Sequence, residues 1–561
     1  MQLTRFWIIA LVIIISPFYL LAQSDYLYLG NKQYQLLDRL DIKLKNDSIL
    51  GFTTVKPFNR LRFTEQIEYI DSLDKAGSLP AKLSSVDRYN IRHFLMDNTE
   101  WTKNYKDSFL VKPYLGAFYK NRSHFYQVDT KDFTMRIDPL LDLQVGHAND
   151  GTGSIYTNTR GIMVRGSVAG KIGYYTTLTD NQERDPLYVR EWVAQHNAVP
   201  GAGFYKAFKN NGYDYFDMTG GITFRANKYF NFQFAYDKLF IGNGYRSLFL
   251  SDFSNNYTFL RMNLRVWKLN YEMILAQTIQ SVPQVGREMK PQNYMAIHHL
   301  SVDVAPWLNL GVYENIMEEA KYGFQVSYLN PIIFYRATES NLGAAGKANI
   351  GFDFKSNINR NIQLYGQLLI NEFHINEVTH YSRGAWVNKQ ALQLGAKYID
   401  VLGVKNLDIQ GEVNWIRPYT YMNFDSTTNF THYNQPLAHP LGANVREFVA
   451  LARYQPIPRL YLSGKLDYFL QGLDSAGVNM GSNILLSYNT RPRDYGFFIG
   501  TGTPVKSLTA SLNASYEIFE NMFIDLNATH RSYNIKGLPN SSVFFYSVGF
   551  RVNLGRREFN F

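Results

Sequence analysis

Apolar and polar residues alternate strictly along most of this chain, which is the pattern of β-strands. In the clearest stretch, residues 258–267, apolar side chains occupy every second position from 260 to 266, and those between them are polar or charged. The apolar set is Leu260, Met262, Leu264 and Val266, and the polar set is Arg261, Asn263 and Arg265. A helix would mix the two sets, whereas a strand places them on opposite faces. The same period recurs at residues 230–237 and 544–554, so the chain is predicted to be largely β-sheet.

The lengths of the connections between these strands favour a membrane barrel over a soluble sandwich, which would share the two-residue period. Tight turns are predicted near Gly170, Asn227, Lys268, Pro306, Arg360, Gly403, Ile457 and Asn521, and they alternate with long loops. Outer-membrane barrels combine short periplasmic turns with long outer loops, and the pattern from residue 133 to 554 predicts about 18 antiparallel strands. The predicted fold class is therefore an all-β transmembrane barrel at residues 111–561, with both termini on the periplasmic side.

Composition and the chain end agree with a barrel. The sequence has 41 Tyr and 39 Phe, several at strand ends where aromatic girdles form. Its last residues, Arg557-Glu558-Phe559-Asn560-Phe561, resemble the C-terminal signal of bacterial outer-membrane proteins, so the barrel-assembly machinery is a predicted partner, with outer-membrane lipid. Leu554 and Phe559 have opposite parity, which predicts a bulge near Gly555 or a strand that ends early.

The N-terminal region differs from the barrel. Residues 1–22 combine Arg5, an apolar run and a final Ala22, and are predicted to be a cleaved signal peptide; Leu20 leaves a retained anchor as the alternative. Residues 23–110 are predicted to be a helical periplasmic module, with a linker of transient helices as the alternative. Helix-period residues are Leu36, Leu37 and Leu40; Ile67, Ile70 and Leu73; and Tyr89, Ile91, Phe94 and Leu95. Predicted helix starts are Thr64 and Ser84, and a strand is predicted at residues 111–127.

Charges of both signs occupy predicted inward positions of the barrel. These are Arg136, Asp138, Arg225, Asp237, Arg261, Arg265, Glu272, Asp353, Glu412, Lys465, Asp467 and Arg551. In a wide aqueous pore they would be solvated, whereas opposed charges on neighbouring strands can cross-link the interior through Arg–carboxylate pairs. Because the two signs are mixed along the barrel, we favour a closed interior over a channel.

Two segments resemble the capsule-assembly family of outer-membrane lectins called Wzi. The first runs Asp237-Lys238-Leu239-Phe240-Ile241-Gly242-Asn243-Gly244-Tyr245-Arg246-Ser247-Leu248-Phe249-Leu250-Ser251-Asp252, and the second His432-Tyr433-Asn434-Gln435-Pro436-Leu437-Ala438-His439-Pro440-Leu441-Gly442-Ala443-Asn444 with Arg446-Glu447. The chain is also similar to the Bacteroidota branch of that family, which includes members named as gliding-motility proteins. The resemblance implies an 18-stranded barrel, a periplasmic helical bundle and retention of exported polysaccharide at the cell surface. The outer loops depart from the family pattern.

The same segments supply the candidate glycan-binding residues. Gly242 and Gly244 permit positive φ and close backbone approach, while their neighbours offer amide, aromatic and guanidinium groups that sugars meet by hydrogen bonding and stacking. The candidates are Asn243, Tyr245, Arg246, His432, Asn434, His439 and Asn444. For both segments the alternative is structural: a bend that folds back into the barrel, and a rigid plug held by its own turns.

Catalytic, metal and nucleic-acid functions are not indicated. The chain has no Cys and no zinc-protease or phosphate-loop motif, so no cofactor and no metal are predicted. His298 and His299 are adjacent in a strand and should point to opposite faces, one luminal and one towards lipid. The carboxylates Asp180, Glu183, Asp185, Glu318 and Glu319 are predicted in outer loops as solvated charge. The net charge of +10 favours anionic partners, but it is too dispersed for nucleic acid.

These observations predict a non-enzymatic outer-membrane protein, of a Gram-negative cell, that binds or organises surface or capsular polysaccharide, with a possible link to gliding. The main alternative is a solute-conducting porin or channel. A barrel hydrolase is the third reading, and it would need a loop carboxylate such as Glu318 or Asp185 to act in catalysis.

Overall fold

The structure, a computed structural model, describes residues 23–281, 289–323, 325–330, 334–335, 348–372, 374–475, 477–559 and 561. Within them the chain forms a closed barrel of 18 antiparallel strands, which confirms the predicted fold class. The strands are β1 (Phe133–Ala148), β2 (Gly153–Val168), β3 (Ile172–Arg184), β4 (Gly212–Arg225), β5 (Phe230–Asp237), β6 (Tyr257–Val266), β7 (Leu269–Ile279), β8 (Gln292–Ala305), β9 (Leu308–Glu319), β10 (Asn349–Asn357), β11 (Ile362–Glu372), β12 (Lys389–Tyr398), β13 (Leu407–Ile416), β14 (Val445–Ile457), β15 (Leu460–Leu473), β16 (Thr503–Phe519), β17 (Met522–Ile535) and β18 (Ser541–Val552). The predicted signal segment, residues 1–22, lies outside the described residues.

Strand β18 pairs with β1, so the sheet closes without a free edge. The predicted tight turns all lie at one end of the barrel, which we call the short-turn end; the one predicted near Gly403 is longer than predicted, at residues 399–406. At the opposite, long-loop end, two connections are shorter than predicted: residues 149–152 and 536–540. The predicted faces are confirmed in β6, where Leu260 is exposed on the outside while Arg261 and Asn263 are buried inside.

Between residue 23 and the barrel there are three α-helices: α1 (Gln33–Leu44), α2 (Arg60–Lys75) and α3 (Ser85–Asp97). Their leucines, isoleucines and phenylalanines form one buried core. Helix α3 begins as predicted, since Ser84 and Asp87 form a capping box. The predicted start of α2 at Thr64 is wrong: Asn59 is the N-cap, and the Thr64 hydroxyl donates back to the Arg60 carbonyl one turn earlier.

The helical module packs into the short-turn mouth of the barrel through buried ion pairs. Lys355 of β10 donates to Asp41 of α1 at 2.8 Å, and Lys397 of β12 donates to Asp38 at the same distance. Arg39 bonds to Asp87 within the module and to Asp408 of β13. These contacts join the module to the strands on one side of the barrel wall. No helix among the described residues is long and apolar enough to cross a membrane.

The segment after β18 agrees with the sequence prediction in where the strand ends, but differs from it in where the terminal aromatic residues lie. The last strand ends early at Val552, as one of the two parity alternatives required, and residues 553–559 turn into the lumen. Arg557 donates to Glu183 at 2.6 Å, and the Phe561 ring lies 5.0 Å from Trp192 of helix α4 (Leu187–His196) at the long-loop end. The terminal aromatic residues therefore do not face lipid as an assembly signal on a strand would. The strand predicted at residues 111–127 is also wrong, because only Tyr126–Asp129 is extended and paired.

Candidate functional site

A loop between β5 and β6, residues 238–256, crosses the inside of the barrel; we call it the lumen-crossing loop. Near its start, Phe240–Ile241 pairs as a short antiparallel ladder with Val55–Lys56 of the helical module. Farther along, the Leu248 amide donates to Gln367 of β11 at 2.8 Å, and the Tyr245 amide donates to Glu412 of β13 at 2.7 Å. Strands β13 to β15 lie about half-way round the barrel from β5 and β6. The loop therefore ties opposite walls together.

Arg246 is the anchor of this loop on the far wall. Its guanidinium donates to Glu447 of β14 at 2.7 Å and to Asp467 of β15 at 2.9 Å, and all three side chains are buried. His439 donates to the second oxygen of Glu447 at 2.8 Å. Burial opposes charge on Arg246, but Glu447 and Asp467 outweigh it and raise the pKa of Arg246. The structure thus joins the two segments singled out by the sequence through a single carboxylate.

Gly244 is needed for close approach, not for a positive φ. A β-carbon at this position would lie 2.3 Å from a carboxylate oxygen of Glu412. That oxygen accepts the Tyr245 amide, so it cannot move aside without losing the bond. The close approach predicted at Gly244 is therefore confirmed, and the positive φ predicted there is wrong.

A second loop, residues 417–444 between β13 and β14, fills the long-loop end of the lumen. The His432 ring accepts from the Ile279 amide and donates to the Asn256 carbonyl, both at 2.9 Å. The Asn434 amide donates to the His196 carbonyl at 2.8 Å. Asn444 donates at 2.7 Å to the carbonyls of Gly472 and Thr501. Each of these side chains is buried and engaged within the protein.

The placement of the seven predicted residues bears on their proposed role. Arg246 and His439 meet at Glu447, whereas Asn243 bonds to Thr54 of the helical module at 3.1 Å. Tyr245 lines a luminal cavity of about 750 Å³ between the helical module and the lumen-crossing loop. Of the seven, Tyr245 and Arg246 line this cavity, and Arg246 is held there by Glu447 and Asp467. Sugar contact by any of the seven stays a prediction, and for the other five it requires the loops to move.

Acid should loosen the 417–444 loop through His432. Burial is the main cause that lowers the pKa of His432 to about 4, and Lys238 adds to it, against the two backbone hydrogen bonds. Because the folded pKa lies below the unfolded value of about 6.5, the unfolded loop takes up the proton first as pH falls from 6.5 towards 4. At pH 4 the folded loop is therefore destabilised by about 3 kcal/mol, which raises the equilibrium constant for loop opening roughly 100-fold. We expect amide hydrogen exchange at residues 431–437 to rise by that order between pH 7 and 4, after correction for intrinsic exchange.

The variant His432→Gln should remove most of this pH dependence, because a carboxamide can accept and donate in the same two directions without titrating. His439, whose pKa burial also lowers, is left in place as an internal comparison. An unchanged pH dependence in the variant would contradict the assignment to His432.

Luminal charges pair between strands, as the mixed signs predicted. Arg261 of β6 forms two bonds of 2.9 Å with Glu272 of β7, and Arg551 of β18 bonds to Asp525 of β17 at 2.7 Å. His298 and His299 point to opposite faces, which confirms that prediction. His299 bonds to luminal Asp353 at 2.7 Å, and His298 on the outer face bonds to Glu314 at 2.9 Å. Among the described residues no group of His, Asp and Glu is arranged to hold a metal ion.

The carboxylates predicted in outer loops lie on strands or at their ends. Asp180 and Glu183 belong to β3, and Glu318 and Glu319 end β9. Glu183 is buried against Arg557, Glu319 accepts from the Thr427 hydroxyl at 2.6 Å, and Glu318 accepts from the Tyr328 hydroxyl at 2.6 Å. The strand positions of Asp180 and Glu183 were not predicted, because strand β3 extends beyond the alternating apolar residues that indicate its start.

Two outer loops form a surface that the sequence prediction missed. Residues 377–388 and 486–498 are joined by backbone bonds, including Phe497 N to Gly384 O at 2.8 Å and Trp386 N to Asp494 O at 3.0 Å. Tyr381 is 52% exposed and Tyr495 48%. The Arg491 guanidinium lies 4.0 Å from the centre of the Trp386 ring. We call this surface the paired-loop platform; the density of Tyr, Phe, Trp and Arg in both loops was its only sequence signal.

Comparison with known proteins supports the fold. No protein-family model matches the chain, and no curated protein matches it in sequence. Among solved structures it is similar to Wzi of Escherichia coli, described as an outer-membrane protein involved in group 1 capsule assembly and a carbohydrate-binding β-barrel. The two share 12% identity and a TM-score of 0.51, over 96% of this chain and 100% of that one.

More distant similarity is found to the outer-membrane protein OprD of Pseudomonas aeruginosa and to OccAB2 of Acinetobacter baumannii. OprD has 11% identity and a TM-score of 0.41, over 75% of this chain and 96% of that one. OccAB2 has 9% identity and a TM-score of 0.41, over 74% and 97%. The similarity to Wzi, with its TM-score of 0.51, supports the β-barrel fold of this chain.

Proposed function

We propose that this protein is a closed outer-membrane scaffold that binds surface polysaccharide at its long-loop end. The main support for a closed barrel is the lumen-crossing loop. The buried cluster of Arg246, Glu447 and Asp467 fixes this loop to the opposite wall. A solute channel has no need to bridge its lumen with desolvated ion pairs. A scaffold gains a rigid rim on which outer loops hold their shape.

Orientation follows from connection length. Outer-membrane barrels place short turns in the periplasm and long loops outside. On that rule the helical module, which packs at the short-turn end, lies in the periplasm, and the paired-loop platform faces the exterior. The domain division into residues 23–110 and 111–561 is part of this proposal.

The platform offers the chemistry that sugars need. Exposed Tyr381 and Tyr495 present ring faces for stacking, and the guanidinium groups of Arg383 and Arg493 supply charged donors beside them. Together with the net charge of +10, these arginines favour an acidic polysaccharide. Tyr245 in the luminal cavity is proposed as a second contact. The proposed role is non-enzymatic.

The test compares polysaccharide that stays on the cell with polysaccharide shed to the medium, with and without the gene. We expect shedding at unchanged total synthesis when the gene is lost. Restoration with the wild-type gene should reverse it, whereas Tyr381→Ala/Tyr495→Ala should restore retention poorly, since each stacking contact contributes about 0.5–1.5 kcal/mol. The matched control is Trp267→Ala/Trp307→Ala, which removes exposed aromatics at the short-turn end.

The rival function, a solute-conducting porin, predicts the opposite pattern. Loss of the gene would then leave the polysaccharide distribution unchanged and alter solute uptake. A role in gliding, which the resemblance implies, belongs to the proposal as a consequence of polymer retention. If gliding depends on polymer retention, cells with the Tyr381→Ala/Tyr495→Ala variant should spread less on agar, in proportion to their loss of polysaccharide retention.

A further inference from the structure

A second cavity, of about 300 Å³, lies at the short-turn end between helix α2 and strands β4 to β7. Five cationic side chains line it, and we call it the basic cavity. One of them, Arg261, is paired with Glu272, and four others are not paired with a carboxylate of any described residue. They are Arg62 in the first turn of α2, Arg225 at the end of β4, Lys228 in the β4–β5 turn and Arg265 near the end of β6. This cavity is separate from the lumen-crossing loop and from the paired-loop platform.

The protein balances the positive charge of the basic cavity only in part, because the nearest carboxylates act on its arginines from beyond ion-pair distance. Two carboxylates, Glu272 and Glu65, line the cavity, but each is already paired with another cation. Both oxygens of Glu272 accept hydrogen bonds from Arg261, and Glu65 lies 3.3 Å from Lys103 Nζ. Across the part of the chain that the structure describes, no carboxylate lies within 4.0 Å of the side-chain nitrogens of Arg62, Arg225, Lys228 or Arg265. By contrast, Arg261 in the wall of the same cavity and Arg551 elsewhere in the barrel pair with carboxylates at 2.9 and 2.7 Å.

Two arginines of the basic cavity, Arg225 and Arg265, are held in place despite this repulsion. The Arg265 guanidinium lies 4.4 Å from the centre of the Phe52 ring. Arg225 donates to the carbonyls of Asn227 at 3.3 Å and Lys228 at 3.5 Å. Burial first, and then the charge of Arg225, lowers the pKa of Arg62 to about 10. Fixed, partly desolvated like charges are costly unless an anion joins them.

We propose that the basic cavity binds a phosphate group. Three guanidinium forks match phosphate oxygens in bidentate geometry, and a phosphate spreads its charge over several acceptors where a carboxylate offers two. The N-terminus of α2, whose first turn lines the cavity, adds a favourable field for an anion. Its first amides are already taken, Arg62 N by Asn59 and Leu61 N by Ser24, so the side chains make the contacts.

The phosphate has two possible sources, a phospholipid headgroup or a free phosphate ester. Tyr229 and Trp267 are exposed next to the basic cavity, in turns where an outer-membrane barrel meets the lipid headgroups. The shared chemistry is the phosphate group itself, and the experiment separates the sources.

The full-length protein, purified in an uncharged detergent, is titrated with inorganic pyrophosphate at constant ionic strength, and binding is read by calorimetry and by the shift of the thermal midpoint. In parallel, protein reconstituted in nanodiscs of phosphatidylglycerol and phosphatidylcholine is released and examined by native mass spectrometry for retained lipid. We expect the double variant Arg62→Gln/Arg265→Gln to bind pyrophosphate at least roughly tenfold more weakly and to retain less phosphatidylglycerol.

The matched control is Arg88→Gln/Arg160→Gln, which removes the same charge from exposed sites elsewhere and should bind like the wild type. Retained phosphatidylglycerol indicates the lipid as source, and pyrophosphate binding without retained lipid indicates a free ester; both support the site. If the double variant does not fold, the single variants are measured in its place. Equal responses to pyrophosphate and chloride, or equal binding by the double variant and the wild type, would overturn the proposal.

Discussion

Replacing Arg246 by methionine is expected to lower the free energy of unfolding by about 3–5 kcal/mol. Glu447, Asp467 and Arg246 are buried together, and the change leaves two carboxylates without their cation inside the barrel. His439 bonds to Glu447 but carries no charge near neutral pH, since burial lowers its pKa. The measurement is urea unfolding in detergent, followed by the loss of the heat-resistant folded band on gels.

Arg160→Met is the matched control, because Arg160 pairs with Asp180 at 3.2 Å on the outside of the barrel with about half of each side chain exposed. An exposed pair of this kind contributes about 0–1 kcal/mol. In the double variant Arg246→Met/Glu447→Gln, part of the loss should return, because one of the unpaired charges is gone. Equal costs for Arg246→Met and Arg160→Met would mean that the cluster does not hold the loop.

The barrel itself is predictable from sequence because its determinants are local. Alternation over ten residues sets the two faces of a strand, as in Leu260 and Arg261, and turn residues such as Asn521, with a φ of 58°, set the reversals. Because the number of strands is even, β18 runs antiparallel to β1, and the two strands can pair and close the barrel. The start of α2 shows the limit, since Asn59 and Thr64 are both acceptable caps and packing decides between them.

The site is predictable only in part, because its contacts are long-range. Parity places Glu412 and Asp467 inside the barrel, but it cannot say that Arg246, far away in sequence, reaches across to Asp467. The path of residues 553–559 into the lumen is likewise decided by partners such as Glu183, which the local sequence does not reveal. The paired-loop platform depends on two irregular loops with no period at all.

Replacing the lumen-crossing loop by a short glycine-rich turn is expected to open the barrel to ions. The substitution is sterically simple, because Asp237 and Tyr257 are direct partners in the sheet and a tight turn can join them. In planar bilayers the wild-type protein should be silent or nearly so. A barrel of this strand number encloses an aqueous channel when its lumen is not filled, so the variant should conduct roughly tenfold more or better.

The matched control replaces residues 378–383, which are exposed on the paired-loop platform, by a linker of equal length. It should leave conductance at the wild-type level while impairing polysaccharide retention, since the platform lies outside the lumen. Stable conductance of the wild-type protein would contradict the closed scaffold and favour a pore. Silence of the loop variant would mean that the helical module and residues 417–444 close the lumen without the lumen-crossing loop. Separate effects of the two replacements would show that closure and polymer binding are distinct properties of one barrel.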